Sequence, residues 1–198
     1  ELFGLGVGCN GLLRILLQCL SPVDDYQPFT AISEVLLGTE AGLCGLLVDC
    51  PADPALAGKS LVLAAGRLHH TGLNPALSAA IGGLPATKKR AAGLHRFAHA
   101  QQTLQVLVAP LHPVPRLLVL GAGLDAIPLV TLADTLGWRV SVADHRPAYL
   151  ARNGFGAAEH TLCAPATELA QRLPLATFAA VVVMSHHLAT DRVYLQQL

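Results

Sequence analysis

The sequence predicts an α/β protein in two parts, an α+β domain over residues 1–112 and a domain with a parallel sheet over residues 113–198. The prolines of "APLHPVPR" (109–116) separate the parts, because prolines at that density favour an extended connection over a continuing helix. Beyond them, short runs of Val, Leu and Ile alternate with segments of helical periodicity. Such alternation is typical of parallel strands with helices on both faces.

The second part divides into short elements that follow one another closely. "RLLVLGAG" predicts a buried strand entering a glycine turn, and "WRVSVAD" predicts a second strand. The predicted order is a strand that enters its glycine turn within 116–123, helix 125–136, strand 138–144, strand near 159–162, helix 165–172 and strand 178–185.

The first part gives weaker signals. "GLLRILLQCL" (11–20) fits a strand or a helix equally well. A helix or strand is expected to end near Gly38, followed by a strand over 43–48. "KSLVLAAGRLHHTGL" (59–73) predicts one further strand before a turn at 70–72. We expect an α+β arrangement.

Composition limits the classes of function. Hydrophobic residues make up 53% and charged residues 13%, against about 25% charged in a typical domain, so we expect an apolar surface covered by a partner or by a homo-oligomer. The net charge of zero gives no attraction to nucleic acid. Since no apolar run reaches the roughly 18 residues of a membrane span, no membrane association is expected. Five cysteines without a CxxC pair favour a reducing cytoplasm.

The strongest local motif is "GAGLDA" (121–126), which fits G-x-G-x-x-G/A between a predicted strand and a predicted helix. Gly121 permits the tight turn, and Gly123 lets a phosphate approach the backbone. The start of the helix offers free N–H groups to an anion. This context predicts a Rossmann-type fold. Asp125 is a candidate binding residue of the same motif; its carboxylate also stabilises the helix start or opposes a phosphate, and these interpretations stay open.

Two charged residues follow the second strand of this part. Asp144 ends that strand about twenty residues after the glycines, where an acid accepts hydrogen bonds from ribose hydroxyls. Arg146 follows it and is suited either to bidentate phosphate contacts or to a solvated loop.

The last strand ends in "MSHHLATD" (184–191), which brings polar groups to the same edge of the sheet as Gly121. His186 and Asp191 are candidate binding residues, because histidine suits proton transfer, metal ligation or phosphate binding. His186 and His187 diverge on an extended chain, so they are not expected to share a metal.

His95 and His99 stand four apart, near enough on a helix to share a metal. Because no carboxylate or thiol completes such a site, we interpret the pair as an exposed helix face. For His69 and His70, too, the sequence gives no support for a metal site. No metal site is therefore assigned.

The octapeptide "GLGVGCNG" (4–11) is a second glycine-rich stretch, and it presents the thiol of Cys9. It lacks the strand-turn-helix context of a phosphate loop. Asn10 tolerates a left-handed backbone, so a turn is expected there.

Three of these strings together resemble one family. "GLGVGCNGLLRILLQ", "LHPVPRLLVLGAGLDAIPLVTLADTLGWRVSVADHRP" and "VVVMSHHLATD" are similar, in content and order, to the xanthine dehydrogenase accessory proteins, XdhC/CoxI. The resemblance spans nearly the whole chain, and its central block is more specific than a bare GxGxxA.

The resemblance implies an accessory factor rather than an enzyme. Such a factor binds molybdenum cofactor, which carries a pterin and a phosphate with or without a nucleotide, supports its sulfuration with a cysteine desulfurase, and delivers it to an apo molybdenum hydroxylase. Cys9, with Asn10 beside it, is then expected near the molybdenum. Gly121, Gly123 and Asp144 are expected to hold the phosphate end, with Arg146 and His186 assisting.

Two departures from the family pattern concern the ends of the chain. An upstream Gly-Gly-Cys-Leu-Glu stretch and a glycine- and serine-containing segment after the final strand are both missing, so the chain is expected to be truncated at both ends. Two other functions stay open, an NAD(P)-dependent oxidoreductase, for which no Tyr-Lys pair is recognisable, and a nucleotide-sensing scaffold.

Overall fold

The computed structural model describes residues 15–82, 92–99, 102–151 and 154–198. These residues form two compact units. The first comprises the described residues up to Val35 together with Glu40–His112, and the second comprises Leu36–Thr39 together with Pro113–Leu198. Cys9 and Asn10 lie outside the described residues. Among the helices described, none has the length and hydropathy to cross a bilayer.

The first unit is built on an antiparallel sheet with a helix on each face. Its strands are β1 (Gly42–Asp49), β2 (Ser60–Ala64), β3 (Arg67–His70), β4 (Gly93–His99) and β5 (Gln102–Leu111), in the order β3-β2-β1-β5-β4. Its helices are α1 (Phe29–Leu37), which ends in the second unit, and α2 (Pro75–Gly82), with 3₁₀ turns at Pro22–Asp24 and Pro54–Leu56.

Alternate residues of the strands explain this packing, since successive side chains point to opposite faces. Leu43 and Leu47 of β1 pack with Leu77 of α2 on one face. Val62 of β2 packs with Val35 of α1 on the other. The predicted strand 43–48 and the element ending near Gly38 are thus confirmed.

Three expectations for the first unit are wrong in detail. Residues 59–73 contain the two strands of a hairpin where one strand was expected, because Ala65 and Gly66 both have positive φ (46° and 72°) and form a two-residue turn. The expected change of direction at 70–72 is present as a bend at 71–72. His95 and His99 lie on the strand β4, not on a helix. Four residues of extended chain separate them by about 13 Å, too far to share a metal. Residues 15–20 form neither helix nor strand.

The second unit is built on a parallel sheet. Its elements are β6 (Arg116–Leu120), α3 (Ala126–Thr135), β7 (Arg139–Asp144), α4 (Pro147–Leu150), β8 (His160–Cys163), α5 (Leu169–Arg172), β9 (Ala180–Val183) and α6 (Leu188–Gln197), with 3₁₀ turns at Ala166–Glu168 and Leu175–Thr177. The strand order is β8-β7-β6-β9, and every pairing is parallel. The predicted α/β class, with a Rossmann-like parallel sheet after an α+β part, is confirmed.

Strand β6 lies inside the sheet and is apolar from Leu117 to Leu120, where both faces are covered. Val119 packs against Val130 of α3 on one face. Leu118 packs with Leu169 of α5 and Tyr194 of α6 on the other. Since the strands are parallel, the segments that follow β6, β7, β8 and β9 meet at one edge. We call it the carboxyl edge.

The turn after β6 requires glycine at position 121. Gly121 has a φ of +123°, which L side chains rarely adopt. A Cβ atom there would lie 2.5 Å from the carbonyl oxygen of Met184, which follows β9. The backbone of the turn therefore packs directly against the end of the neighbouring strand.

Replacing Gly121 with Ala is expected to lower the free energy of unfolding of the second unit by about 3 kcal/mol or more, because backbone strain and overlap add. Gly137→Ala is the matched control. Gly137 also has a positive φ (+78°) but nothing lies within 4 Å, so a loss of about 1–2 kcal/mol is expected. Urea unfolding followed by the fluorescence of Trp138, the single tryptophan, measures both losses. Equal losses would contradict the close approach.

Candidate functional site

The glycine turn, residues 121–125, connects β6 to α3 at the carboxyl edge. The N–H of Gly121 donates to the carbonyl of Ala143 at 2.8 Å and so extends the pairing with β7. A Cβ on Gly123 would overlap Oδ1 of Asp125, so the space that glycine leaves open at 123 is taken by a carboxylate of the turn itself. Ala126 is fully buried against the sheet, as the motif predicts.

The carboxylate of Asp144 is the most enclosed charged group at this edge, with 0% of its surface exposed. Oδ2 accepts from the N–H of Ala122 at 2.7 Å and from Nη2 of Arg146 at 2.8 Å. Oδ1 accepts from the backbone N–H of Arg146 at 2.8 Å and from its Nε at 2.9 Å. Burial raises the pKa of Asp144, but these hydrogen bonds outweigh it and hold the pKa below its usual value.

Arg146 pairs with Asp144 through two nitrogens and contacts two further groups. Its guanidinium carbon lies 3.7 Å from the ring centroid of Tyr149, and Nη2 lies 3.5 Å from the carbonyl oxygen of Ser185. The hydrogen bond to Asp144 raises the pKa of Arg146. Asp144 and Arg146 therefore connect the glycine turn with the ends of β7 and β9.

The segment after β9 is held by its own polar side chains. Asp191, in the first turn of α6, accepts from the hydroxyl of Ser185 and, at 3.2 Å, from its backbone N–H. His187 precedes α6 and accepts the N–H of Thr190 at its Nδ1, at 3.3 Å. Asp191 and His187 thus fix the start of this helix.

His186 lies between Ser185 and His187 in the chain. Its φ is +60°, an uncommon conformation for a residue other than glycine. Its Nε2 lies 2.7 Å from Oδ2 of Asp125. Both side chains are open to solvent, with 66% of His186 and 45% of Asp125 exposed. This exposed contact links the segment after β9 to the last residue of the glycine turn.

Tyr194 of α6 adds a buried phenol to the same edge. Its side chain is 1% exposed, and its hydroxyl has no hydrogen-bond partner in the part of the chain that the structure describes. Burial raises the pKa of Tyr194 to about 12, with smaller upward contributions from the carboxylates of Asp144 and Asp191 and from Cys163, while Arg146 acts in the opposite direction.

Of the nine residues predicted to bind a cofactor, the seven within the described residues all belong to the carboxyl edge: Gly121, Gly123, Asp125, Asp144, Arg146, His186 and Asp191. Cys9 and Asn10 lie outside the described residues. No group of three metal-ligating side chains occurs within residues 15–82, 92–99, 102–151 and 154–198.

Sequence reasoning missed Tyr194, because a tyrosine among apolar helix positions is ordinarily a core residue. Its unpaired hydroxyl has no signature in the sequence. Sequence reasoning also assigned Asp144 to ribose hydroxyls and Arg146 to a phosphate. In this structure the carboxylate of Asp144 and the guanidinium of Arg146 are hydrogen-bonded to each other.

Comparison with protein families matches residues 117–198 to the XdhC Rossmann domain. This part of the chain is therefore similar to the XdhC Rossmann domain. The resemblance drawn from the sequence is thereby confirmed. The match covers the carboxyl edge with all its polar groups.

Two proteins are similar to the chain over more than residues 117–198. A protein of Bacillus subtilis (strain 168), described as a probable subunit of xanthine dehydrogenase, is 25% identical over 190 residues, which make up 96% of this chain and 53% of that protein. A crystal structure of a xanthine dehydrogenase from Bacillus halodurans matches with a TM-score of 0.66 and 17% identity, over 89% of this chain and 50% of that one. The chain thus spans about half the length of either, and the second match shows the fold alone.

Replacing Asp144 with Asn is expected to lower the free energy of unfolding of the second unit by about 3 kcal/mol at pH 7, since a buried ion pair loses one partner. The pKa of Asp144 is lower in the folded than in the unfolded chain. Its contribution is therefore complete above the unfolded pKa of about 3.9 and is lost as the pH falls through the folded pKa.

The difference between the parent and Asp144→Asn should accordingly shrink below about pH 4. Urea unfolding followed by Trp138 fluorescence across this pH range measures it. Asp134→Asn, at an exposed position of α3, is the control and should change stability by less than about 0.5 kcal/mol. A loss for Asp144→Asn that stays constant with pH would contradict the assigned role of its charge.

Proposed function

We propose that the protein is an accessory factor that binds molybdenum cofactor for a xanthine dehydrogenase-type molybdenum hydroxylase. The observation that carries the proposal is the glycine turn at the carboxyl edge of an XdhC Rossmann domain, with exposed His186 beside it. The cofactor's phosphate, with or without a nucleotide, gives such a turn an anionic group to hold.

The residues at the turn fit an anionic group once one exposed contact opens. Helix α3 begins at Ala126, whose N–H donates to the carbonyl of Gly123 at 3.1 Å. Pro128 has no N–H, so Ile127 is the first residue of the helix whose N–H is proposed to meet an anion. The carboxylate of Asp125 lies over Gly123 and opposes an anion there. Because the pair of Asp125 and His186 is solvent-exposed, separating it costs at most about 1 kcal/mol.

Each group at the edge then has a separate task. The N–H of Ile127 and the imidazole of His186 are proposed to hold the phosphate. Asp144 and Arg146 keep the turn in place without touching the ligand. The cofactor, when bound, supplies the molybdenum centre that the hydroxylase uses. Cys9 is proposed to lie near that centre, with Asn10 shaping its turn.

The partners follow from the same proposal. The chain would receive the cofactor for sulfuration with a cysteine desulfurase and deliver it to the apo-hydroxylase in the cytoplasm. A homo-oligomer would cover part of its apolar surface. Exposed leucines supply such a surface on α3 and at its two ends: Leu132 on the helix, Leu124 in the turn before it and Leu136 directly after it.

An NAD(P)-dependent oxidoreductase is the second candidate, and the geometry disfavours it. A dinucleotide in a Rossmann fold places its ribose hydroxyls on the acid that ends the second strand. Here that acid is Asp144, whose carboxylate is buried and accepts from Ala122 and Arg146.

Co-elution tests the proposal. The purified chain is mixed with molybdenum cofactor under reducing conditions, or with NAD(P), and passed over a sizing column. Retention of the pterin is the expected result, whereas retention of NAD(P) without it would refute the proposal. Retention of neither the pterin nor NAD(P) would favour the alternative of a scaffold protein.

Two substitutions at the exposed pair sharpen the test. Asp125→Asn removes the opposing charge and should tighten cofactor binding about two- to five-fold, while His186→Asn keeps the left-handed backbone and should weaken it by a similar factor. His160→Asn is the matched control, since His160 is an exposed histidine at the opposite end of β8. Equal effects at positions 186 and 160 would contradict the assigned role of His186.

A further inference from the structure

A groove of about 420 Å3 lies at the end of the parallel sheet opposite the carboxyl edge. It is lined by residues 38–39, 113–116 and 176–179, all of which belong to the second unit. Arg116 begins β6 and Ala179 directly precedes β9, so we call this end of the strands the amino edge. The volume of the groove falls within the roughly 300–1,000 Å3 of small-molecule sites.

Arg116 is the charged residue of this lining, and the other lining residues are uncharged. Its guanidinium carbon lies 5.5 Å from the ring centroid of Phe178, and Nη1 lies 3.5 Å from Oγ1 of Thr177. Within the part of the chain that the structure describes, Nε and Nη2 of Arg116 donate to no acceptor, and no carboxylate oxygen lies within 4 Å of the guanidinium. One edge of the guanidinium is therefore available to a ligand in the groove.

The charges at the amino edge leave Arg116 without a counter-charge. Arg139 of β7 lies beside Arg116 in the sheet and donates to both oxygens of Glu159, through Nε at 2.9 Å and through Nη2. The hydrogen bond from Arg139 lowers the pKa of Glu159 against the effect of desolvation, and the charges of Arg139, His160 and Arg116 lower it further. His160, 3.7 Å from Glu159, is positive only when protonated. Two guanidiniums and one carboxylate thus leave one positive charge in excess.

This excess charge and the apolar walls define the ligand. A planar carboxylate matches the side-on edge of a guanidinium, formed by Nε and Nη2, with two parallel hydrogen bonds. A phosphate monoester carries about −1.5 to −2 charges at pH 7, which is more than the single positive charge of Arg116 neutralises. The prolines, alanines and Phe178 of the lining favour a ligand whose remaining atoms are apolar.

We propose that the groove at the amino edge binds a small monocarboxylic acid with an apolar body, and that Arg116 holds the carboxylate side-on. Phe178, Pro113 and Pro115 then contact the apolar body. The inference does not rest on the proposed function, because it uses no residue of the carboxyl edge. The five residues of β6 span about 16 Å between the two edges, so the two ligands would occupy separate places.

Ligand-observed NMR titration of the chain with benzoate tests the site. Benzoate should bind, and benzamide should bind at least ten-fold more weakly, because it has the same ring without the charge that the guanidinium recognises. Inorganic phosphate is the third probe and should also bind at least ten-fold more weakly than benzoate. Absence of benzoate binding, or an equal affinity for benzamide or for phosphate, would overturn the assigned class of ligand.

Two pairs of variants test the location. Arg116→Lys keeps the charge and loses the planar fork, so it should weaken benzoate binding about three- to ten-fold, whereas Arg172→Lys, at an exposed arginine of α5, should leave it unchanged. Ala176→Trp fills the groove from an exposed position and should weaken binding at least ten-fold. Ala170→Trp, at an exposed position of α5, should have no effect. Equal losses within either pair would place the benzoate elsewhere and overturn the groove site.

Urea unfolding of the same variants separates ligand recognition from a structural role. Ala176→Trp and Ala170→Trp alter exposed positions and should leave the urea midpoint of the free chain unchanged. If Arg116→Lys lowered the midpoint and left benzoate affinity unchanged, the guanidinium would serve the fold alone, and its assigned role would be overturned.

This inference and the proposed function fail separately. If benzoate binds with the expected losses and molybdenum cofactor is not retained, the groove site stands and the proposed function fails. If the cofactor co-elutes and benzoate does not bind, the proposed function stands and the groove site does not.

Discussion

The second unit depends on one buried carboxylate. Asp144 ends β7, and its two oxygens accept from the amide of Ala122 in the glycine turn and from three nitrogens of Arg146. A carboxylate with no exposed surface is stable only when hydrogen bonds replace its lost hydration. Here those bonds come from the neighbouring turn and from the loop beyond β7. The same interaction therefore stabilises the charge and sets the shape of the carboxyl edge.

This arrangement changes the meaning of a familiar pattern. Glycines between a strand and a helix, followed by an acid at the end of the next strand, ordinarily indicate a dinucleotide site. In this chain the acid faces inward to the protein's own amide and arginine. Under the proposed function, an anion at the turn would be held by the N–H of Ile127 and by His186, while Asp144 keeps the backbone of the turn in place.

Much of the second unit could be predicted from its sequence because local patterns and packing agree there. The apolar run Leu117–Leu120 can only be a strand covered on both faces, and Gly121 follows it where a left-handed turn is required. The direction of the Asp144 carboxylate could not be predicted, since a sequence does not say which donor a side chain finds. The hairpin at Ala65 was missed for a related reason, because alanine seldom adopts positive φ and gives no turn signal.

The left-handed backbone of His186 costs free energy, and hydrogen bonds of the neighbouring residues hold it in that conformation. An L-residue in the left-handed region costs about 1–2 kcal/mol, and the bonds from Ser185 to Asp191 and from Thr190 to His187 hold the chain on both sides of it. Glycine at this position would relieve that strain and make the domain more stable. It would also remove the imidazole from the glycine turn. Under the proposed function, position 186 is thus a place where the stability of the domain and the contact that an imidazole would offer a ligand favour different residues.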